Sequence, residues 1–273
     1  MPVNVKTFAT VPEAASALSS EHGARYIGGG TLVMRAVNEG DLSFSTIVRV
    51  KDRSLSNIRA SGGRITIGAG VTLAQILRER DLAFLHAVAR SIGGPAVRNM
   101  GTVGGNLFAP APFGDLGVAL LALDTTVSMQ GGYGVREMPI EEFFAGRDRA
   151  AGSVVISVSC ERPASAEAFR YRKISRVRPK GASVISLAVH IPNVSGRVSG
   201  ARIAYGAMAP TAIRAKSAER ALEGRMLDEA GVAAAIAVAA EGTSPATDAI
   251  ASTWYRREVA GIHLRRVLLG QHA

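Results

Sequence analysis

Glycine and small polar residues crowd one stretch of the chain, Ser91 to Asn106, which reads SIGGPAVRNMGTVGGN. Gly101, Gly104 and Gly105 leave the backbone free to adopt positive φ and to approach a ligand closely. Small polar neighbours such as Thr102 add side-chain donors and acceptors. A loop of this composition can direct successive backbone N–H groups at an anion, which is how proteins commonly hold a phosphate. The stretch therefore predicts an anion-binding loop.

Another glycine cluster, Gly28-Gly29-Gly30-Thr31, lies upstream of this stretch. Two such loops in one compact domain indicate the two sides of a diphosphate clamp. The alternative interpretation is that each cluster is only a tight turn. We favour the ligand interpretation for the two loops taken together.

The residue types that usually carry out catalysis show no catalytic or metal-binding pattern. The histidines, at positions 22, 86, 190, 263 and 272, are scattered without metal-ligand spacing, so we expect no metal on this chain. The sequence contains no nucleophile elbow, P-loop, HExxH or CxxC motif, and we expect no catalytic residue. Two anion-ready loops without a catalytic dyad are typical of a protein whose cofactor performs the chemistry while the polypeptide holds it.

Composition and charge exclude several classes of protein. The 273 residues are 47% hydrophobic and 20% charged, which indicates a globular chain. The net charge of +10 is concentrated in the run Arg170–Lys180, RYRKISRVRPK, and near the C-terminus. No nucleic-acid motif or aromatic interleaving accompanies the charge, so we expect no nucleic-acid partner. The run is either a solvated face or a docking surface for an acidic partner or anionic ligand.

The sequence contains no window of eighteen uninterrupted apolar residues, so we expect no membrane span. The start, MPVNVKTF, lacks the pattern of a signal peptide, and the single cysteine, Cys160, cannot form an internal disulfide. We therefore expect a cytoplasmic protein in which Cys160 is a small buried side chain.

Hydrophobic periodicity and capping signals predict an α+β chain that divides near residue 165. The predicted helices are 10–20, 72–77, 84–92, 115–123, 140–144, 213–222, 227–240 and 254–269. The predicted strands are 25–27, 45–50, 64–68, 125–129, 154–160, 184–191 and 201–208.

Longer motifs now identify a resemblance. VRNMGTVGGNLFAPAPFGDLGVALLALDTTV resembles the second flavin-binding motif of the FAD-binding subunits of the molybdenum hydroxylase and xanthine dehydrogenase family, which includes the carbon monoxide dehydrogenase medium subunit. YIGGGTLVM is similar to the first motif of that family, usually written AGGTDLL. The resemblance continues through MPIEEFFAGR, ARIAYGAMAPTAIRAKSAERALEG and STWYRREVAGIHLRRVLL, and so covers nearly the whole chain.

The resemblance implies a fold of two parts. Residues 1–165 would form the two-lobed FAD-binding domain of the vanillyl-alcohol-oxidase (PCMH) type. Residues 166–273 would form the C-terminal domain of the carbon monoxide dehydrogenase flavoprotein type, a small three-stranded antiparallel sheet with a helical bundle.

The resemblance also implies the residues that bind FAD. One side of the diphosphate would be wrapped by Ile27, Gly28, Gly29, Gly30, Thr31, Leu32 and Val33. The other side and the ribityl chain would be held by Thr102, Gly104, Gly105 and Asn106, with Val97 nearby. Ile92 would lie against the adenine and Asp115 would bond the sugar alcohol portion. Val155 would lie beside the isoalloxazine ring, and Lys173 is a further candidate there.

The implied function is that of an FAD electron-transfer subunit. It would take electrons from the [2Fe–2S] clusters of a small partner subunit and pass them to NAD, oxygen, a quinone or another acceptor. The molybdopterin would lie on a large partner subunit, and the complex would be a dimer of heterotrimers. The alternatives are a flavin-free docking or assembly subunit and a stand-alone flavin oxidoreductase.

Two positions depart from the family pattern. Leu32 replaces the polar residue of the first motif, so one polar contact to the flavin would be missing. Lys180 stands where many members carry Asp, which would reverse a charge near the ring and stabilise the anionic reduced flavin.

Overall fold

The computed structural model describes residues 3–41, 43–177, 181–192 and 196–271. The strands are β1 Asn4–Phe8, β2 Ala24–Tyr26, β3 Thr46–Val50, β4 Ile58–Ser61, β5 Arg64–Gly68, β6 Thr126–Gly131, β7 Gly134–Pro139, β8 Val154–Glu161, β9 Phe169–Ser175, β10 Ser183–His190, β11 Arg202–Gly206 and β12 Ile213–Arg214. The α-helices are α1 Val11–Ser20, α2 Val33–Asn38, α3 Leu73–Ile76, α4 His86–Ser91, α5 Pro95–Met100, α6 Val103–Leu107, α7 Asp115–Ala122, α8 Ile140–Ala145, α9 Lys216–Leu222, α10 Glu229–Ala237 and α11 Thr253–Leu268. No described helix is long and apolar enough to cross a membrane.

The chain forms two compact units, and each is built from three separate segments of the sequence. Unit 1 comprises Met1–Arg80, Gly94–Ala109 and Thr125–Glu161. Unit 2 comprises Asp81–Gly93, Pro110–Asp124 and Arg162–Ala273. These units group residues by spatial contact, and the functional boundary near residue 165 stays a prediction from the sequence.

Unit 1 is built on two sheets. A three-stranded parallel sheet has the order β1-β3-β2, and a five-stranded antiparallel sheet has the order β4-β5-β8-β6-β7. Helix α1 starts at the predicted capping box, in which the N–H of Thr10 donates to the Glu13 carboxylate at 3.0 Å. The helix buries Val11, Ala14, Ala15 and Leu18 in a cluster that also contains residues of both sheets.

Unit 2 is built on one antiparallel sheet of order β12-β11-β10-β9. All eight residues of β10 are buried, because both faces of the sheet are covered. Helices α9, α10 and α11 contribute to the apolar cluster with Ile185, Leu187 and Ile203 on one face. Helix α7 contacts β10 and β11, and α4 contacts β9. Strand β10 lies inside this sheet, and its pairing with β9 determines which residues of the two strands face α4 and α7.

Some predicted elements differ from those in the structure. Ile213–Arg214 was expected to begin a helix, but it pairs with β11 as a fourth strand, and the helix starts at Lys216. The expected helix 84–92 is a 3₁₀ turn, Arg80–Leu85, followed by the shorter α4. Non-local pairing and packing decide both cases against local helical propensity.

Two arginines of the basic run Arg170–Lys180 make hydrogen bonds inside unit 2. Arg170 donates to the carbonyls of Val267, at 3.1 Å, and Leu268, while Arg172 donates to the carbonyl of Gln271 at 3.1 Å. These carbonyls lie at the C-terminal end of α11, where cationic groups interact favourably with the helix dipole. Arg170 therefore caps α11, and these bonds do not test whether the basic run is a solvated face or a docking surface.

Arg256 is the most deeply buried charged residue among those described, with 1% of its surface exposed. Its guanidinium donates to the carbonyls of Val184, Ala246 and Ala251 and makes a two-bond contact with the Asp248 carboxylate, 2.9 Å for each bond. Burial of the charge is compensated because its donors find acceptors. The hydrogen bonds to Arg256 hold residues 246–251 against α11 and β10.

Replacement of Arg256 by Met should lower the free energy of unfolding by about 3–5 kcal/mol, because it leaves the Asp248 carboxylate and three carbonyls without their donor. The measurement is urea unfolding followed by circular dichroism. The matched control is Arg257→Met, since exposed Arg257 makes one hydrogen bond, 3.3 Å to the carbonyl of Thr243. Equal effects of the two substitutions would contradict the structural role of Arg256.

Candidate functional site

The two glycine loops predicted from the sequence lie against each other in unit 1. A β-carbon on Gly29 would be 1.5 Å from the carbonyl oxygen of Met100. A β-carbon on Gly28 would be 2.7 Å from Oγ1 of Thr102. Real β-carbons do not approach other atoms this closely. Gly29 is therefore glycine because it touches the backbone of the other loop, and Gly28 because it touches the Thr102 side chain.

The first loop, Ile27–Val33, contains a run of unused backbone donors. Gly30 adopts a φ of +73°, which favours glycine, and its carbonyl accepts from the N–H of Met34 at 2.9 Å. Within the described part of the chain, the N–H groups of residues 28–32 donate no hydrogen bond. Five consecutive free N–H groups are the donors that an anion such as a diphosphate would bind.

The second loop, residues 91–106, makes backbone hydrogen bonds to the body of unit 1. The N–H groups of Val103 and Gly104 donate to the carbonyls of Val71, at 2.9 Å, and Ala69, at 2.8 Å. The N–H of Gly105 donates to Oγ1 of Thr102 at 3.1 Å. These three N–H groups are thus already engaged within the chain, so the second loop supplies fewer backbone donors than its composition indicates.

Gly104 shows why the second loop needs glycine. A β-carbon there would lie 2.9 Å from Cβ of Ala69, so the residue allows close packing on the end of β5. The side chain of Thr102 is buried and caps α6, and Asn106 is half-buried with hydrogen-bond partners of its own. Contact of Thr102, Gly105 and Asn106 with a cofactor stays a prediction.

Two further predicted residues lie in unit 1. Val97 is 39% exposed on α5, and its carbonyl accepts from the N–H of Gly101 at 2.6 Å. Val155 is 3% exposed in β8, opposite Met129 of β6. Their placement is compatible with the predicted cofactor contacts and does not test them.

Apolar side chains are exposed on two short helices, α2 after the first loop and α5 within residues 91–106. Helices α2 and α5 contain no buried residue. Met34 of α2 is 42% exposed and Met100 of α5 is 56% exposed. Apolar surface beside anion-ready donors is suited to a ligand that has both a flat apolar part and an anionic part.

Asp115 and Lys173 form a buried ion pair in unit 2. Nζ of Lys173 lies 2.8 Å from Oδ2 of Asp115, and the two side chains are 9% and 5% exposed. Oγ of Ser183 donates to Oδ1 of Asp115 at 2.7 Å. The same Lys173 ammonium donates to the carbonyl of Ser91 at 3.1 Å. The structure thus brings together the predicted residues Asp115 and Lys173 and adds Ser91 and Ser183, which the sequence did not indicate.

Tyr171 extends this cluster. Oγ of Ser91 donates its one proton to the carbonyl of Val88 at 2.7 Å, so Tyr171, 3.1 Å away, must be the donor to Ser91. Burial and the nearby charge of Asp115 raise the pKa of Tyr171 well above its usual value, which keeps the phenol protonated. Ile92, predicted to contact adenine, follows Ser91 at the end of α4.

The signal for these missed residues is the alternation along β9. Tyr171 and Lys173 lie on one face of the strand and Arg170 and Arg172 on the other, since successive side chains point to opposite faces. The composition of the run RYRK hides this division. Lys180, at which the sequence predicts a reversed charge, lies outside the described residues.

Two family models match successive parts of the chain. The family model "FAD binding domain in molybdopterin dehydrogenase" matches residues 2–160, and "CO dehydrogenase flavoprotein C-terminal domain" matches residues 170–270. The glyceraldehyde dehydrogenase medium chain of Sulfolobus acidocaldarius is 27% identical over 93% of this chain and 92% of that protein. The carbon monoxide dehydrogenase medium chain of Afipia carboxidovorans is 28% identical over 78% of this chain and 76% of that protein.

Solved structures confirm the predicted fold class. Carbon monoxide dehydrogenase from Hydrogenophaga pseudoflava matches with a TM-score of 0.91 and 25% identity over 98% of this chain and 96% of that chain. Quinoline 2-oxidoreductase from Pseudomonas putida 86 matches with a TM-score of 0.87 and 27% identity over 99% of this chain and 96% of that chain.

Because the loops are in contact at Gly29, even the addition of one methyl group there should lower the stability of the protein. Gly29→Ala should lower the free energy of unfolding by about 1–3 kcal/mol, because the added methyl group must displace the Met100 carbonyl. Gly152→Ala is the control, since a β-carbon there meets no atom within 4 Å. Urea unfolding measures both variants, and unchanged stability of Gly29→Ala would contradict the loop contact.

Proposed function

The chain belongs to the family of FAD-binding domains of molybdopterin dehydrogenases, and from this premise we propose that it is the electron-transfer flavoprotein subunit of a molybdenum hydroxylase. In this proposal the chain receives electrons from [2Fe–2S] clusters of a partner and delivers them to an external acceptor. The observation that carries the proposal is the run of five free N–H groups at residues 28–32. FAD supplies the redox chemistry when it is bound, and the residues of this chain hold and orient it.

The donors of the first loop fit the diphosphate of FAD. A diphosphate requires several hydrogen-bond donors that can approach closely, and glycine at positions 28 to 30 leaves the backbone exposed to such a ligand. Leu32 precedes α2 and makes no side-chain capping bond, so the donors there are backbone groups alone. The hydrophobic Leu32 therefore removes one side-chain contact without removing the N–H groups.

Asp115 is suited to bind hydroxyl groups of the cofactor's sugar alcohol portion. Lys173 and Ser183 each occupy one of its two carboxylate oxygens. An ionised carboxylate accepts about four hydrogen bonds, so each oxygen retains room for one more donor. Ile92 and Lys173 are proposed as further cofactor contacts of unit 2.

Partner subunits are proposed from the names of the relatives and from exposed side chains. The relatives are called medium chains or subunits, and we propose a small iron–sulfur and a large molybdenum partner in a dimer of heterotrimers. Trp254 is 68% exposed, and Tyr133 at the β6–β7 turn is fully exposed. Large exposed aromatic residues are enriched at protein interfaces.

We propose a cytoplasmic location for the chain. Cys160 is a free thiol, which is typical of proteins in a reducing compartment. It is buried, and burial raises the pKa of the thiol to about 12, so the thiol is unreactive.

Flavin titration tests the cofactor proposal. The purified chain, freed of flavin, should bind FAD at about one per chain and bind riboflavin at least about a hundredfold more weakly, because riboflavin lacks the diphosphate. Fluorescence quenching measures both affinities. A chain that binds neither would instead support the docking or assembly alternative.

A matched pair of variants locates the binding loop. Gly30 and Gly40 have φ values of +73° and +85°, so Ala at either position should cost about 1–2 kcal/mol of stability. Only Gly30→Ala should weaken FAD binding, by tenfold or more. Equal FAD affinities of the two variants would exclude the first loop as the binding element.

Co-expression with candidate small and large subunits tests the partner proposal. Native mass spectrometry should then detect a complex with two copies of each of three chains. Recovery of the flavoprotein alone, in the presence of folded partners, would contradict it.

A further inference from the structure

We propose that Lys173 is a positioning residue that closes the chain segment bearing the second glycine loop. The segment, residues 92–114, lies between Ser91 and Asp115. It contains Gly94–Ala109, which belongs to unit 1. Ser91 and Asp115 themselves belong to unit 2. Lys173 holds both of these flanking residues on one ammonium group.

Lys173 bridges Ser91 and Asp115 through two hydrogen bonds. Nζ of Lys173 donates to the carbonyl of Ser91 at 3.1 Å and to Oδ2 of Asp115 at 2.8 Å. One acceptor lies at the last residue of α4 and the other at the first residue of α7. The segment therefore leaves α4 and returns to α7 at two points that share one donor.

Neighbouring bonds fix each end of the bridge. Tyr171 donates to Oγ of Ser91, and Ser183 donates to Oδ1 of Asp115. Tyr171 and Lys173 lie on β9 and Ser183 on β10, and these strands are paired in the buried sheet of unit 2. The bridge is thus anchored to two hydrogen-bonded strands of unit 2.

The consequence is preorganisation of the second loop. The bonds of residues 103 and 104 to Val71 and Ala69 hold the middle of the segment, and closure of its ends by Lys173 removes conformational freedom that ligand binding would otherwise have to restrict. This step rests on the proposed FAD function, whereas closure of the segment itself does not. Lys173 would act on the cofactor through segment 92–114 even without touching the flavin, in contrast to the direct contact predicted from the sequence.

Hydrogen–deuterium exchange of the flavin-free protein tests closure directly. In Lys173→Met, amides of residues 94–109 should exchange at least tenfold faster, while peptides from β10 and β11 should be unchanged. FAD affinity should fall at least tenfold. Lys173→Arg should restore both properties to within about threefold, because the guanidinium also presents several donors.

Arg214→Met is the matched control. Arg214 pairs with Glu219 in the same unit, with side chains 13% and 11% exposed, and it lies outside segment 92–114. Loss of Arg214 also leaves a buried carboxylate without its cation, so this variant reproduces the general destabilisation expected of Lys173→Met. It should leave both exchange in residues 94–109 and FAD affinity unchanged.

Two results would overturn the proposal. If Lys173→Met weakens FAD binding without faster exchange in residues 94–109, Lys173 acts by direct contact with the cofactor. If neither property changes, the bridge does not position the segment. If Lys173→Met exchanges faster in residues 94–109 but the wild-type chain binds no FAD, the positioning role stands and the cofactor function is rejected.

The double variant Lys173→Met, Asp115→Asn covers the case in which the single variant does not fold. It removes both buried charges, which proteins often tolerate. The link to the Ser91 carbonyl is still lost, so exchange in residues 94–109 should remain at least tenfold faster than in wild type. Wild-type exchange in a folded double variant would contradict the proposal.

Discussion

The contact between Gly29 and the Met100 carbonyl is the constraint on which the site in unit 1 depends. The second loop is tied to the carbonyls of Ala69 and Val71, so it cannot easily move away from the first. Any side chain at Gly29 would overlap the Met100 carbonyl. With the loops in contact, the N–H groups of residues 28–32 remain unpaired within the described chain. One loop therefore serves as a rigid support, and the other supplies the donors.

Unit 2 solves a different problem, the burial of a carboxylate beside an apolar sheet. A buried charge is unfavourable unless it is paired and hydrogen-bonded. Asp115 meets both conditions through Lys173 and Ser183, and the second acceptor of Lys173, the Ser91 carbonyl, extends the pairing to another helix. Such a cluster is sensitive to the loss of any member, because each remaining group would then be buried without its partner.

The sequence predicted best those features that local chemistry decides. The capping box of Thr10 and Glu13 and the glycine loops are short-range patterns, and the structure contains them. The short helix α6 was missed because bonds from the N–H groups of residues 103 and 104 to the carbonyls of Val71 and Ala69 stabilise it. Ser183 and Ser91 could not be predicted as partners, since they lie 68 and 82 residues from the groups they contact. Pairing over such distances is decided by sheet register rather than by spacing in the sequence.

Three cations of the basic run, which was one candidate for binding an anionic ligand, are engaged within unit 2. Arg170 and Arg172 bind carbonyls at the end of α11, and Lys173 neutralises Asp115. The unpaired donors near the glycine loops are instead neutral backbone N–H groups. Backbone dipoles hold an anion without a mobile side chain that must first be ordered, so less conformational entropy is lost on binding. In a chain of net charge +10, the proposed diphosphate site is thus formed by the positions of its glycines rather than by its cations.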